Sequence, residues 1–168
     1  METQDYSPGL EGIVAGESAI SSIDVVRNRL LVRGYDLVDL SEHCRFEEVA
    51  YLLLHDDLPT TSELSEFENA INLRRGLSDS ILELLRRAPV RSHPMSLLRT
   101  AVSALSLEDA NPADRSVEAE RRRAVELLAR IPTIIAAGYR LASGAEPKWS
   151  PPSGKPHFEP RAKNVIFL

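Results

Sequence analysis

The sequence predicts a mainly α-helical fold with one small β-hairpin near its N-terminus. Three observations carry this. Aromatic residues make up only 5% of the 168 residues, while Leu, Ala, Glu and Arg are plentiful, a balance that favours helices over a β-sandwich. Beyond about residue 36, apolar residues recur at i, i+3, i+4 and i+7, the spacing of one helix face. Short runs of β-branched and aliphatic residues, of strand length, stand before residue 34.

The elements follow in order. Residues 1–8 read as a flexible tail. Ala19-Ile20-Ser21-Ser22-Ile23-Asp24 and Arg29-Leu30-Leu31-Val32-Arg33 read as two strands around residues 25–28. They form a hairpin over about 18–34, with Gly34 punctuating its exit. A hairpin this small is not stable alone and must lie against other structure. Helices then occupy about 36–145. The first covers 35–43 with Leu37, Val38 and Leu40. The second covers 46–55 and sets Phe46, Val49, Ala50, Leu53 and Leu54 on one face. Leu58-Pro59-Thr60 breaks it. Thr61 or Ser62 caps the third, Glu63 and Glu66 stand in its first turns, and Gly76 ends it beside Arg74 and Arg75.

Ser78 starts a fourth helix carrying Ile81, Leu82, Leu84 and Leu85, and Pro89 follows it. Ser92 or His93 caps a fifth, with Pro94 in its first turn, where a missing N–H costs nothing. Met95, Leu98, Ala101, Val102 and Leu105 form its expected buried stripe. The polar stretch 108–114, containing Pro112, reads as a loop. Residues 116–144 are the longest helical run. Ile131-Pro132-Thr133-Ile134-Ile135-Ala136-Ala137 within it is apolar nearly all round, so it is expected to be deeply buried and kinked at Pro132. Five prolines over about 145–160 mark an extended connector, and 161–168 reads as a helix start cut off after Phe167 and Leu168.

Bulk properties narrow the function. The length suffices for one domain with a real core. A net charge of −5 argues against general binding of nucleic acid or of an acidic membrane surface. No apolar run approaches the roughly 20 residues that span a bilayer. The opening METQDYSPG has no basic targeting region. One cysteine, Cys44, cannot form an intramolecular disulfide, which fits a reducing compartment. The expected location is the cytoplasm.

Several segments carry a family likeness. They are Gly9-Leu10-Glu11-Gly12, the hairpin strand 19–24, Arg33-Gly34-Tyr35-Asp36, the run 46–55, Leu58-Pro59-Thr60, His93-Pro94-Met95 followed by Leu98-Arg99-Thr100, and the run 129–137. In this order and spacing they resemble the citrate and 2-methylcitrate synthase family over nearly all of 9–168. The resemblance implies an all-α, two-domain, dimeric enzyme that condenses an acyl-CoA with a 2-oxo acid, acetyl-CoA and oxaloacetate giving citrate for the tricarboxylic acid cycle. It implies that 9–168 correspond to the N-terminal part of the family's large domain, a partial domain. Members are more than twice this length. Their two catalytic histidines, their catalytic aspartate and most of their oxaloacetate-binding residues belong to motifs without a counterpart here.

Accordingly, no catalytic, cofactor-binding or metal-binding residue is assigned. The chemistry needs a base at the acyl carbon, a neutral donor at the enol and an acid at the ketone. His43 and His55 close helices, where a basic side chain suits the dipole. His93 reads as a cap, and His157 lies in the connector. Cys44 beside His43 is no nucleophile signature, because adjacent side chains rarely face each other. Arg121-Arg122-Arg123 could draw a CoA phosphate, but flanking Glu118, Glu120 and Glu126 favour a solvated helix face. Lys155 is an ordinary loop lysine. The expectation is a family member truncated before its catalytic residues and inactive alone, with acetyl-CoA or propionyl-CoA as the family substrate. The alternative is a non-catalytic helical module. The expected partner is a second copy, a longer synthase chain or a separate C-terminal half.

Overall fold

The structure is a computed structural model that describes residues 9, 11–14 and 16–147. The expected tail, the connector beyond residue 147 with Lys155 and His157, and the helix start at 161–168 lie outside the described residues. Two compact units divide the chain, one up to Leu58 and one from Pro59.

The first unit opens with an antiparallel sheet of order β1-β2-β3, made of β1 (Ser21–Asp24), β2 (Arg29–Val32) and β3 (Tyr35–Asp36). Ser21 pairs with Val32 and Asp24 with Arg29. Asp24 closes the first turn, accepting from the Arg27 backbone N–H at 3.0 Å and from its guanidinium at 3.1 Å. The third strand departs from the expected hairpin, and it takes residues 35–36 from the expected first helix. Its cause is the two-residue turn Arg33-Gly34, with φ +50° and +87°. Positive φ at both central positions is the type I′ geometry that matches strand twist. Glycine adopts it freely. Arginine does so at a cost of about 1–3 kcal/mol, offset here by its side chain, which donates to Asp56 Oδ1 at 2.7 Å and to the Leu53 carbonyl at 3.4 Å.

Two helices complete this unit, α1 (Leu37–His43) and α2 (Phe46–His55). Asp36 caps α1 by accepting from the Val38 N–H. In α2 the expected face is wrong in part. Ala50 and Leu52 are the buried positions, whereas Phe46 is 54% exposed and Leu53 is also exposed. Residues 49–54 are all apolar or aromatic, so a period of 3.6 cannot select one stripe among them.

The second unit contains α3 (Thr61–Arg74), α4 (Asp79–Arg87), α5 (Pro94–Leu105), a 3-10 turn Ser106–Glu108, and α6 (Val117–Ala142). α6 packs against α3, α4 and α5. The core joins Ile81 and Leu85 of α4, Ala101 and Leu105 of α5, and Ile134 and Ala137 of α6. The cap of α3 is Thr60, one residue before the expected Thr61. Thr60 and Glu63 form a reciprocal box, Thr60 N–H donating to Glu63 at 2.8 Å, and the three-residue spacing to Glu63 selects it. α3 ends through Arg75 in right-handed helical geometry rather than through a left-handed Gly76. Ser78 caps α4, and His93 caps α5 through Nδ1 with Pro94 next.

Two burial expectations are corrected. Met95 is 63% exposed, because it stands in the first turn of α5, ahead of the part that meets the core. The 131–137 run is not deeply buried throughout. Ile134 and Ala137 face the core, while Pro132, Ile135 and Ala136 are exposed. The three neighbouring helices cover only one side. α6 continues unbroken through Pro132, whose missing N–H leaves the Leu128 carbonyl without its helical partner.

Gly138 of α6 lies against Leu97 of α5. A Cβ there would lie 3.1 Å from Leu97 Cδ2. Gly138→Leu is expected to lower unfolding free energy by about 1–3 kcal/mol through overpacking. Gly138→Ala should be near neutral in the same urea titration, since a helix-propensity gain of about 1 kcal/mol offsets the contact. In the first unit, Arg33→Gly relieves the turn but removes the clasp to α2. Amide exchange in β1 and β2 should rise several-fold while that of α4–α6 stays unchanged.

Candidate functional site

The polar groups of the second unit gather near the entry of α6. Of the run 121–123, Arg123 reaches the loop that precedes the helix. Its Nε donates to Asp109 Oδ2 at 2.7 Å, Nη1 to the Asp114 carbonyl at 2.6 Å and to Glu120 at 3.0 Å, and Nη2 to the Asn111 carbonyl at 2.9 Å. One guanidinium thereby ties the loop 109–114 to the helix. The solvated-face reading therefore does not hold for Arg123. Three consecutive helical residues point about 100° apart, and the sequence does not say which meets the loop.

Two turns on, Arg130 Nη1 donates to Glu108 Oε2 at 3.2 Å, and the other carboxylate oxygen of Glu108 accepts from Ser80 Oγ at 2.7 Å and from Ser78 Oγ. This cluster links the cap of α4 to the 3-10 turn and to α6. The Arg130 Nε is buried without a partner. Burial by itself would raise the Glu108 pKa; the two hydroxyls and Arg130 outweigh it and hold the carboxyl below its ordinary value. Asp109 is held low by the Asn111 N–H and then by Arg123, and Asp114 by the Ser116 N–H and hydroxyl. These carboxylates are locked as anions by partners, which suits a structural clamp and not a base that must exchange protons.

His43, His55 and His93 are engaged at helix ends. His43 Nδ1 lies 3.0 Å from the Asp39 carbonyl. The His55 ring stacks on Tyr51 with centroids 4.1 Å apart. His93 Nδ1 accepts from the Met95 N–H at 3.3 Å. Burial, and then the charge of Glu48, push the Cys44 thiol up, away from the thiolate needed for attack. Tyr35 donates to Asp57 at 2.8 Å, which raises the phenol and lowers the carboxyl. Among the described residues, no three His, Cys, Asp or Glu side chains are grouped to hold a metal ion.

One concave feature among the described residues is an apolar groove of about 290 Å³ beside α6, lined by Gly76, Leu77, Leu82, Thr133, Ala136, Ala137 and Arg140. Arg140 is partly committed, its Nε donating to the Glu146 carbonyl at 2.8 Å. The groove can hold apolar atoms; it carries no acid–base pair. Sequence reasoning missed it because Gly76 and Leu77 come to α6 only through the packing of α3 and α4.

The lowered Glu108 pKa makes stability depend on pH. A carboxyl with a depressed folded-state pKa stabilises the fold above its ordinary value, 4.5 here, and loses that contribution as pH falls through the folded value. Glu108→Gln should therefore be less stable than the parent at pH 7. The difference should shrink steadily below about pH 4.5, as followed by urea midpoints at a series of pH values.

Comparison with known proteins adds what the site does not. The family model described as "Citrate synthase, C-terminal domain" matches residues 9–163. The citrate/2-methylcitrate synthase of Bacillus subtilis is 43% identical over 146 residues, which are 87% of this chain and 39% of that protein. The 2-methylcitrate synthase of Shewanella oneidensis is 42% identical over 135 residues, 80% of this chain and 35% of that protein. The crystal structure of citrate synthase from Pyrobaculum aerophilum superposes with a TM-score of 0.74 at 33% identity, over 83% of this chain and 37% of that one. The chain thus spans about two fifths of the length of the curated relatives it matches. With the family model running through every described element, and the same helices recurring in a solved synthase, this chain belongs to the citrate synthase family.

Proposed function

We propose that these residues form part of a synthase that condenses an acyl-CoA with a 2-oxo acid, acetyl-CoA or propionyl-CoA with oxaloacetate. The observation that carries this is the 43% identity, over 146 residues, to a citrate/2-methylcitrate synthase. In such a reaction a base removes a proton from the acyl carbon next to the thioester, and the enol attacks the ketone carbonyl. Hydrolysis of the thioester then releases the CoA thiol.

On this reading the proton-transfer groups are supplied by other parts of the family fold, and residues 1–168 alone do not turn over. The helix-end engagement of His43, His55 and His93 supports this. So does the clamping of Glu108, Asp109 and Asp114. The role of the chain is then to build helical scaffold against which the catalytic parts are positioned.

A second reading is a non-catalytic module that pairs with a longer synthase chain or with a second copy. The exposed apolar side of α6 favours it. We extend either reading to a cytoplasmic location, supported by the single, half-buried Cys44. No helix among the described residues is long and apolar enough to cross a membrane.

The test is thiol release from acetyl-CoA and from propionyl-CoA with oxaloacetate. The chain alone should give no turnover. Joined to, or mixed with, the part of the Bacillus subtilis relative that follows its matched region, it should give turnover. Release by the chain alone would sink the scaffold role. A folded complex with no release would sink the condensing reading and leave the module.

A further inference from the structure

We propose that His93 is a proton-sensitive cap: α5 starts on a histidine ring that holds the helix only while it is uncharged, so the first turn of α5 is secured or released by pH. The geometry fixes the state of the ring. A backbone N–H only donates. The Met95 N–H is 3.3 Å from His93 Nδ1, so Nδ1 carries a lone pair and the ring hydrogen sits on Nε2. Proton uptake places hydrogen on both ring nitrogens. The acceptor then becomes a donor facing a donor, and the contact is lost. Ser, Thr and Asn, common caps, accept through an oxygen that does not titrate in this way. Histidine is the side chain that ordinarily changes charge between about pH 5 and 8.

His43 has the opposite arrangement. Its Nδ1 is 3.0 Å from the Asp39 carbonyl. A carbonyl only accepts, so this Nδ1 donates, and it can do so whether the ring is neutral or charged. His43 also stands in the last turn of α1, where the helix dipole favours a cation, whereas His93 stands at the N-terminal end of α5, where it does not. The same side chain therefore answers a proton in opposite ways at the two helix ends.

Nothing at the start of α5 compensates a cationic ring. Its first turn holds no acidic residue, and Arg91 precedes the cap. α4, α6 and the 3-10 turn pack on α5. α4 ends in Arg86 and Arg87, paired with Glu146 at 3.0 Å and with Glu83 at 2.8 Å. On α6, Arg140 follows Gly138 and donates to the Glu146 carbonyl. The 3-10 turn continues from the far end of α5, about 18 Å along the helix axis, and its Glu108 is taken by Ser78, Ser80 and Arg130. Among the described residues, no carboxylate pairs with the His93 ring.

The turn so capped matters to packing. The Ser96 and Leu97 N–H groups both donate to the His93 carbonyl, at 2.9 and 3.1 Å. Leu97 is the half-buried side chain that lies against Gly138 of α6. Release of the cap is thus felt where α5 meets α6.

The test is NMR of the full chain between about pH 8 and pH 5.5, the range in which imidazole ordinarily titrates. At the upper end the ring nitrogens should report hydrogen on Nε2 of His93; hydrogen on Nδ1 overturns the proposal. As His93 titrates, protection of the Met95 amide from exchange, corrected for the intrinsic rate, should fall several-fold. That of the Cys44 amide, which closes α1 through the Leu40 carbonyl, should not. In His93→Asn the cap is kept and the titrating group removed, so Met95 protection should hold across the range. In His93→Ala it should be low throughout. Met95 protection that ignores the titration of His93, or a fall that persists in His93→Asn, overturns the proposal. Glu108 responds below about pH 4.5, outside this range, so its loss cannot imitate the effect.

Discussion

The second unit depends on how closely α6 lies against its neighbours. Its buried positions are Ala119, Ala129, Ile134, Ala137 and Gly138, four of them small. Small residues let helix backbones approach, so that side chains from α4 and α5 reach across and fill the space between. Leu97 against Gly138 is one instance. Large residues on the partners and small ones on α6 together give dense packing, and each fully buried Leu or Ile contributes about 1.5–3 kcal/mol. Ile81 and Leu85 on α4 and Leu105 on α5 are the side chains so placed.

Arginine performs the other half of the work, at the places where the chain turns. Arg33, Arg123 and Arg130 each lie mostly buried with their ends spread over carboxylates, and Arg33 and Arg123 also over backbone carbonyls. A guanidinium has five donors in a rigid fork, so one residue can satisfy several orphaned carbonyls of a loop that has no ladder of its own. Glu108 and Asp109, which answer Arg130 and Arg123, are held as anions. Groups so committed define geometry, whereas a catalytic base must stay free to take up and release a proton. The same logic explains His43 and His93, which close and cap helices where a ring nitrogen meets a backbone group.

The exposed side of α6, with Ile135 and Tyr139, stands apart from both features. Within the described residues the polar chemistry is spent on architecture, and the uncharged surface is left over.

Much of this was legible in the chain itself. The helical class, the hairpin, the Ser78 cap, a cap at Ser92 or His93, and the family likeness over nearly all of 9–168 follow from local causes. These are turn residues, cap chemistry, the 3.6-residue period and motif spacing, all of which act over a few neighbours. The misses share one cause as well. Which side of α2 is buried, whether Met95 is covered, which arginine of 121–123 reaches the loop, and which side of α6 stays open all depend on what lies across the interface. So does the third strand, whose Arg33-Gly34 turn is held by Asp56, more than twenty residues away. Periodicity marks the surfaces that could be buried. Only tertiary packing decides which of them are, because burial is a property of two surfaces and the sequence pattern describes one.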